Sequence, residues 1–288
     1  MNLEHAVTDQ QTIFITGATD GLGRALADRL AADGHVLLLH GRDQQKLDRT
    51  AAEIADQHRI SKPATFCADL AALDEVRRLA DEVLAATSRL DVFVSNAGIG
   101  FGQPDGHERR TSADGYELRF AVNYLAGFLL TERLLPLLRE SAPARIVHIA
   151  SLGQHPLDFD DLMLEHDYSG IRAYCQSKLA QIMSGIELAG LLPASQVTVN
   201  SLHPATFMPT KMVLAERSSV DTLADGVRST LRLVSDPALA SETGKFFDHT
   251  QEATANAQAY DAAARARLRT VSLQLTGLAD TGRDGRSG

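Results

Sequence analysis

The sequence predicts an α/β protein: a doubly wound, seven-stranded parallel sheet with helices on both faces. Three observations predict it. Short apolar runs alternate with helix-length amphipathic stretches through most of the chain, the pattern of strands joined by helical crossovers. The first run passes through a glycine-rich turn into the first amphipathic stretch. No obvious linker, internal repeat or long low-complexity segment interrupts the alternation. Residues 1–278 therefore read as a single domain, and ADTGRDGRSG (279–288), small, polar and glycine-rich, as a frayed tail.

The strand candidates in order are TIFIT (12–16), HVLLLH (35–40), ATFCA (64–68), DVFVS (91–95), RIVHIA (145–150), QVTVNSL (196–202) and GKFF (244–247). Between them, segments such as RALADRLAAD, LDRTAAEIADQH and DEVRRLADEVLAA repeat Leu, Ala, Ile and Val at helical spacing. Strands separated by helices pair in parallel, and right-handed crossovers place helices on both faces. Two looser stretches, 100–116 and 152–170, follow strands, where loops over a ligand crevice lie.

The 288 residues are 44% hydrophobic, enough for one large domain. A net charge of −9 and a pI near 5.5 exclude nucleic acid as a main partner, since phosphate backbones need basic clusters. Cys67 and Cys175 stand in no metal-type spacing. The polar start MNLEHAVTDQQ is no signal peptide, and no membrane span is expected, which together predict a cytoplasmic protein. His148, His155, His166 and His203 are scattered without ligand spacing, so no metal is expected. The acids Asp158, Asp160, Asp161, Glu165 and Asp167 read as a solvated lid surface.

Gly17, Gly21 and Gly23 fall where the first strand turns into the first helix. Glycines there permit a tight turn and close approach to a pyrophosphate, which the helix N-terminus stabilises. At the end of the second strand an acid suits a free ribose 2′-hydroxyl, whereas arginine suits a 2′-phosphate. Gly41 and Arg42 occupy that end, so NADP(H) is preferred, with NAD(H) the alternative. Tyr174 and Lys178 are four apart and share one helix face. On an exposed face the pair is ordinary decoration. Lining a pocket, the lysine cation would lower the tyrosine pKa and make an acid–base catalyst.

With these residues in hand, the chain resembles the short-chain dehydrogenases/reductases across nearly its whole length. TGATDGLG is similar to the family's cofactor turn, and Asp69-Leu70 to the pair that meets the adenine. SNAG (95–98) is similar to its Asn-Asn-Ala-Gly motif, with Ser95 replacing the first asparagine. Asn123, Ser151, Tyr174 and Lys178 then match the catalytic tetrad in order. SLHPATFMPTKM resembles the segment capping the nicotinamide, with Ala205 in place of a glycine. The long Ser151–Tyr174 spacing and the late GKFFDHT resemble the retinol-dehydrogenase-like and protochlorophyllide-reductase-like branch.

The resemblance implies a Rossmann-type domain that binds NADP(H) through Gly17, Thr19, Asp20, Gly21, Leu22, Gly23, Arg42, Asp69, Leu70, Asn96, Ala97, Gly98, Tyr174, Lys178, Pro204, Thr206 and Thr210. Asp20 stands where some NADP-dependent relatives carry a basic residue. Ser151 would hydrogen-bond the carbonyl oxygen and Tyr174 would deliver the proton. Lys178 would lower the tyrosine pKa and hold the ribose, and Asn123 would anchor a relay water. Phe101, Leu157, Phe159, Phe207, Met208 and Met212 are the candidate substrate pocket, under a lid at about 204–235. The expected reaction interconverts a hydrophobic ketone or aldehyde and its alcohol. Carbon–carbon double-bond reduction on the same fold, or a nucleotide sensor without chemistry, are the alternatives. Homodimers or homotetramers are expected by analogy with the family.

Overall fold

The computed structural model describes residues 10–102, 106–214 and 218–279; the expected tail beyond residue 279 lies outside them. The strands are β1 (Thr12–Ile15), β2 (Val36–Gly41), β3 (Ala64–Cys67), β4 (Val92–Ser95), β5 (Ala144–Ile149), β6 (Val197–His203), β7 (Phe246–Asp248) and β8 (Gln251–Ala253). They form one sheet of eight strands in the order β3-β2-β1-β4-β5-β6-β7-β8. The first seven strands pair in parallel, and β8 lies antiparallel against β7.

The seven-stranded, all-parallel expectation is thus short by one edge strand. The sequence QEA of β8 has no apolar run and is partly exposed, so it lacks the signal that marks the others. It pairs because the chain reverses after Asp248, with His249 at φ 54°.

The long helices are α1 (Gly21–Ala32), α2 (Gln44–His58), α3 (Leu73–Ala86), α4 (Leu118–Glu140), α5 (Gly170–Leu191), α6 (Leu223–Ser235) and α7 (Ala262–Thr276). Their starts follow from capping chemistry. Asp43 accepts from the Lys46 N–H at 3.0 Å to open α2, and Ser169 accepts from the Arg172 N–H at 3.2 Å to open α5. Thr222 and Asp225 form a reciprocal capping box at α6.

Apolar residues fill both faces of the sheet. One face buries Phe14, Phe66 and Phe93 with residues of α3, α4 and α5; the other buries Ile13, Ile15 and Val94 with residues of α1 and α2. The Phe14 and Phe93 rings stack at 5.5 Å, so truncating either would open a cavity costing roughly 3–5 kcal/mol. Helix α4 is long and apolar enough to cross a membrane, with mean hydropathy 1.2 over its best window. In this fold 72% of that window is buried inside the protein. The apolar surface of this stretch is explained by the core it fills.

The strand order reverses between β1 and β4, so the loops at their carboxyl ends diverge and leave a crevice. The glycine turn, residues 96–102 and the segment after β5 all lead from such strand ends.

Candidate active site

The floor of the crevice is the turn after β1. Gly17 and Gly21 take positive φ, 68° and 50°, a region in which a side chain is strained. At Gly23 a Cβ would collide with the Gly17 carbonyl oxygen, so this glycine lets helix and turn close on each other. Thr16 and His40, which carry no sequence signal, hold the turn together with the motif residue Asn96. Thr16 Oγ1 accepts from the Asn96 and Ala97 N–H groups at 3.0 and 3.1 Å. Asn96 returns its amide to the Thr16 oxygen at 2.7 Å. His40 accepts from the Gly17 N–H at 3.3 Å through Nδ1, which assigns its Nε2 proton to the Ala68 oxygen at 3.1 Å. Burial pushes the His40 pKa down to about 4, so it serves as a neutral bracket.

Arg42 follows at the end of β2, exposed, and its side chain forms no hydrogen bond or ion pair among the described residues. The nearby acid that counted against a phosphate is already neutralised. Asp20 accepts from Lys46 Nζ at 2.8 Å and lies 2.9 Å from Lys211 Nζ. Partial burial opposes its ionisation, but these lysines and the Gly21 N–H prevail and hold its pKa down to about 2. Thr19 packs under Gly41, and Leu22 is buried in the α1 core. Asp69 accepts from the Ala71 N–H at 2.9 Å and shapes the turn after β3, while Leu70 is buried in the core.

The tetrad positions converge from three elements. Asn123 sits in a π-helical turn, Ala121–Leu125, that interrupts α4, an irregularity that often re-aims a side chain at functional sites. Its Oδ1 accepts from the Ile99 N–H at 2.8 Å; its Nδ2 donates to the Ile99 oxygen at 3.1 Å and to Ser177 Oγ at 3.0 Å. Gly98 lies beside both Asn123 and Lys178, a Cβ there falling 3.2 Å from Asn123 Oδ1 and 3.6 Å from Lys178 Nζ. Ser151 follows β5, and its Oγ accepts from the Gly153 N–H at 3.0 Å. Gly153 also packs against Cys175 Sγ and the Tyr174 ring. Tyr174 and Lys178 occupy the second and third turns of α5.

Lys178 is 4% exposed and donates from Nζ to the Ile149 oxygen at 2.7 Å. It lies 5.9 Å from the centre of the Tyr174 ring. Burial pulls its pKa down to about 8, which still leaves it protonated at neutral pH. The expectation that lysine lowers the tyrosine pKa does not describe this geometry. Burial raises the Tyr174 pKa, and a hydrogen bond with Ser151 pulls it partly back. The lysine is engaged with the β5 carbonyl instead.

The wall opposite Tyr174 is set by a buried charge cluster that the sequence does not reveal. Arg119, fully buried, donates to the Gly100 oxygen at 2.8 Å, the Phe101 oxygen at 2.9 Å and the Tyr168 hydroxyl at 2.6 Å. Glu117 balances it at 3.8 Å, and burial raises the Glu117 pKa despite hydrogen bonds from the α4 start. This cluster fixes the backbone that carries Phe101, whose ring meets Tyr174 edge-on at 6.1 Å.

The other pocket candidates divide. Leu157 is 4% exposed within the main core, and Phe159 packs against that core under Arg267, 4.7 Å from its ring. Met212 packs against Gly100, Met208 fills the space at Gly226 beside Leu22, and Phe207 takes φ 45°. The Thr210 methyl covers Gly21, with a Cβ there falling 2.9 Å away. Pro204 is buried, and Thr206 donates its N–H to Asp221 Oδ2 at 2.6 Å. Of the acids of 152–170, Asp158 and Asp161 act as turn acceptors: Asp161 receives the Glu165 and His166 N–H groups at 2.7 and 3.1 Å.

Among the described residues one group of metal-type side chains converges, His203, Asp248 and His249, with ligand atoms within 4.8 Å. His249 faces Asp221 at 2.8 Å and Asp248 at 2.7 Å through its two ring nitrogens. The Asp221 bond chiefly raises its pKa, against partial burial. Through these two bonds His249 ties Asp221 to the end of β7.

A Rossmann-type sheet with a glycine turn, and a Ser, Tyr and Lys gathered beside it, defines a nucleotide-linked oxidoreductase class. Residues 11–221 match the short chain dehydrogenase family, and the chain belongs to that family. It is 34% identical to retinol dehydrogenase 13 of Mus musculus, covering 93% of this chain and 84% of that one. It is 33% identical to retinol dehydrogenase 14 of Homo sapiens, covering 93% and 87%. Among solved structures it superposes on an uncharacterized protein from Mycobacterium paratuberculosis with a TM-score of 0.74, at 28% identity over 93% and 94% of the two chains. It superposes on a short chain dehydrogenase from Escherichia coli CFT073 complexed with NADPH with a TM-score of 0.67, at 26% identity over 84% and 98%.

Proposed function

We propose that the protein interconverts a hydrophobic alcohol and its aldehyde or ketone with NADP(H). The observation that carries this reading is the convergence of Ser151, Tyr174 and Lys178 beside the glycine turn, with the exposed Arg42 at the end of β2. The site fits the dinucleotide: Gly17, Gly21 and Gly98 keep side chains out of the crevice, and Arg42 is available to a 2′-phosphate. When bound, NADPH supplies the hydride. Ser151 donates a hydrogen bond to the substrate oxygen as negative charge develops there. Tyr174 Oη gives that oxygen its proton, and takes it back in the oxidative direction. Lys178, protonated at neutral pH, stabilises the resulting phenolate. Asn123 pins the Ile99 backbone and so keeps the crevice wall in place.

Phe101, Phe207 and Met212 supply apolar surface near Tyr174 and the lid, which suits a lipid-like substrate. The retinol dehydrogenases among its relatives point the same way. Free Cys67 and Cys175 accord with a reducing, cytoplasmic setting. The experiment is steady-state turnover of long-chain and aromatic alcohols and aldehydes with both cofactors. Tyr174→Phe is expected to lower kcat by ~1000-fold or more with NADPH affinity near wild type. Retained turnover in that variant, or preference for small charged keto acids, would overturn the reading.

A further inference from the structure

Lys178 has a second polar neighbour one turn further along α5. Gln181, 3% exposed, offers its Oε1 to Lys178 Nζ at 3.4 Å, and its Nε2 to the Ser95 oxygen of β4 at 3.4 Å. Both contacts are long, so the amide keeps hydrogen-bonding capacity to spare. Gln181, Ser95, Ser184 and His148, with Tyr124, Gly127 and Phe128, line a small pocket of about 10 Å³, room for the centre of a single water. His148 is 4% exposed, and its Nδ1 is a buried atom without a hydrogen-bond partner among the described residues. An unpaired buried nitrogen costs ~1–3 kcal/mol. A water that bridges it to Gln181 and a serine hydroxyl removes that cost.

We propose that Gln181, braced by one water held against His148, is a positioning residue that supports Lys178 from behind and sets the proton affinity of the Tyr174–Lys178 pair. The idea rests on the proposed function for its catalytic meaning but not for its physical content. A buried ammonium needs acceptors, and Lys178 has only two among the described contacts: the Ile149 carbonyl and the Gln181 amide. The titratable groups against it are Tyr174 on its own helix and His148 on β5. Asn123 from α4, the Ile149 carbonyl and Gln181 are neutral. Burial, with the nearby lysine, pushes the His148 pKa down to about 4, so at neutral pH that imidazole binds a water without adding charge. The amide and its water are therefore the adjustable part of the lysine's surroundings.

The test reads the lysine directly. Protein labelled with ¹³Cε-lysine is titrated by NMR, with Lys178→Met assigning the Lys178 resonance. Gln181→Met removes an acceptor and is expected to move the Lys178 midpoint down by about one pH unit; Gln181→Glu adds an opposite charge and should move it up by about as much. His148→Leu, which deprives the water of a partner, should move it down by less. A structural defect alone would not produce shifts of opposite sign. In an active enzyme the limb of the kcat/KM–pH profile for alcohol oxidation should move in both Gln181 variants. Folded Gln181→Met and Gln181→Glu proteins whose Lys178 midpoints both stay within ~0.2 of wild type overturn the inference. If instead wild-type protein turns over no alcohol or carbonyl, the proposed function fails, while opposite midpoint shifts still uphold the role of Gln181.

Discussion

Replacing Lys178 by methionine is expected to make the ligand-free protein more stable while abolishing its activity. Burial takes the lysine from 10.5 to about 8. That gap of roughly two and a half pH units corresponds to about 3 kcal/mol of lost stability, at ~1.36 kcal/mol per unit. Methionine is a similar flexible, unbranched chain and avoids the ammonium desolvation. Against this stand the hydrogen bonds to Ile149 and Gln181, whose loss costs ~1 kcal/mol. The net gain is about 2 kcal/mol at pH 7, a rise in Tm of roughly 4–8 °C for a domain of this class. The pH dependence has a definite sign. The folded pKa lies below the unfolded one, so the cost is complete below about pH 8 and fades as pH approaches 10.5. Thermal and urea unfolding of the two proteins at pH 7 and pH 10, without cofactor, reads this directly. A methionine variant less stable at pH 7, or an advantage that does not shrink at pH 10, would falsify the argument that Lys178 is held at the expense of stability.

Three further outcomes are expected. Arg42→Ala should weaken NADPH binding at least tenfold while leaving NADH affinity within about twofold, since only the former carries the phosphate that a guanidinium grips; fluorescence titration with equal losses for both would refute the assignment. Arg119→Met strands the buried Glu117 carboxylate and frees the Gly100 and Phe101 carbonyls; a loss of ~3–5 kcal/mol in urea unfolding is expected, and a near-neutral effect would show that the cluster does not hold the crevice wall. His249 has a pKa raised by Asp221, so its stabilising pair is fully present below about pH 6.5 and is lost as pH rises through the raised value. The Tm gap between wild type and Asp221→Asn should therefore be larger at pH 6 than at pH 9, and an equal gap would remove the charge pair from the account of the lid.

The sequence by itself determines the layered α/β architecture, because apolar runs and amphipathic stretches carry their period in the chain. It also places the glycine turn, since Gly17 and Gly21 adopt backbone angles that other residues resist. The order of Asn123, Ser151, Tyr174 and Lys178 is legible as a motif, and the fold brings all four to one crevice. Only the tertiary structure decides what surrounds them. The β8 strand is only Gln-Glu-Ala, without an apolar run, and it is a strand by virtue of its pairing with β7. Asp20 looks hostile to a phosphate in sequence and becomes harmless once Lys46 and Lys211, distant in the chain, close on it. Leu157 looks like a pocket residue because it lies in a loop, and the fold spends it on the core. Arg119 and Gln181 carry no motif at all; their roles arise from burial, which turns an ordinary cation into the clamp of a loop and an ordinary amide into a neighbour of Lys178. Desolvation and long-range contact are properties of the packed chain, so the proton affinities of Tyr174 and Lys178, and with them the chemistry, become visible only there.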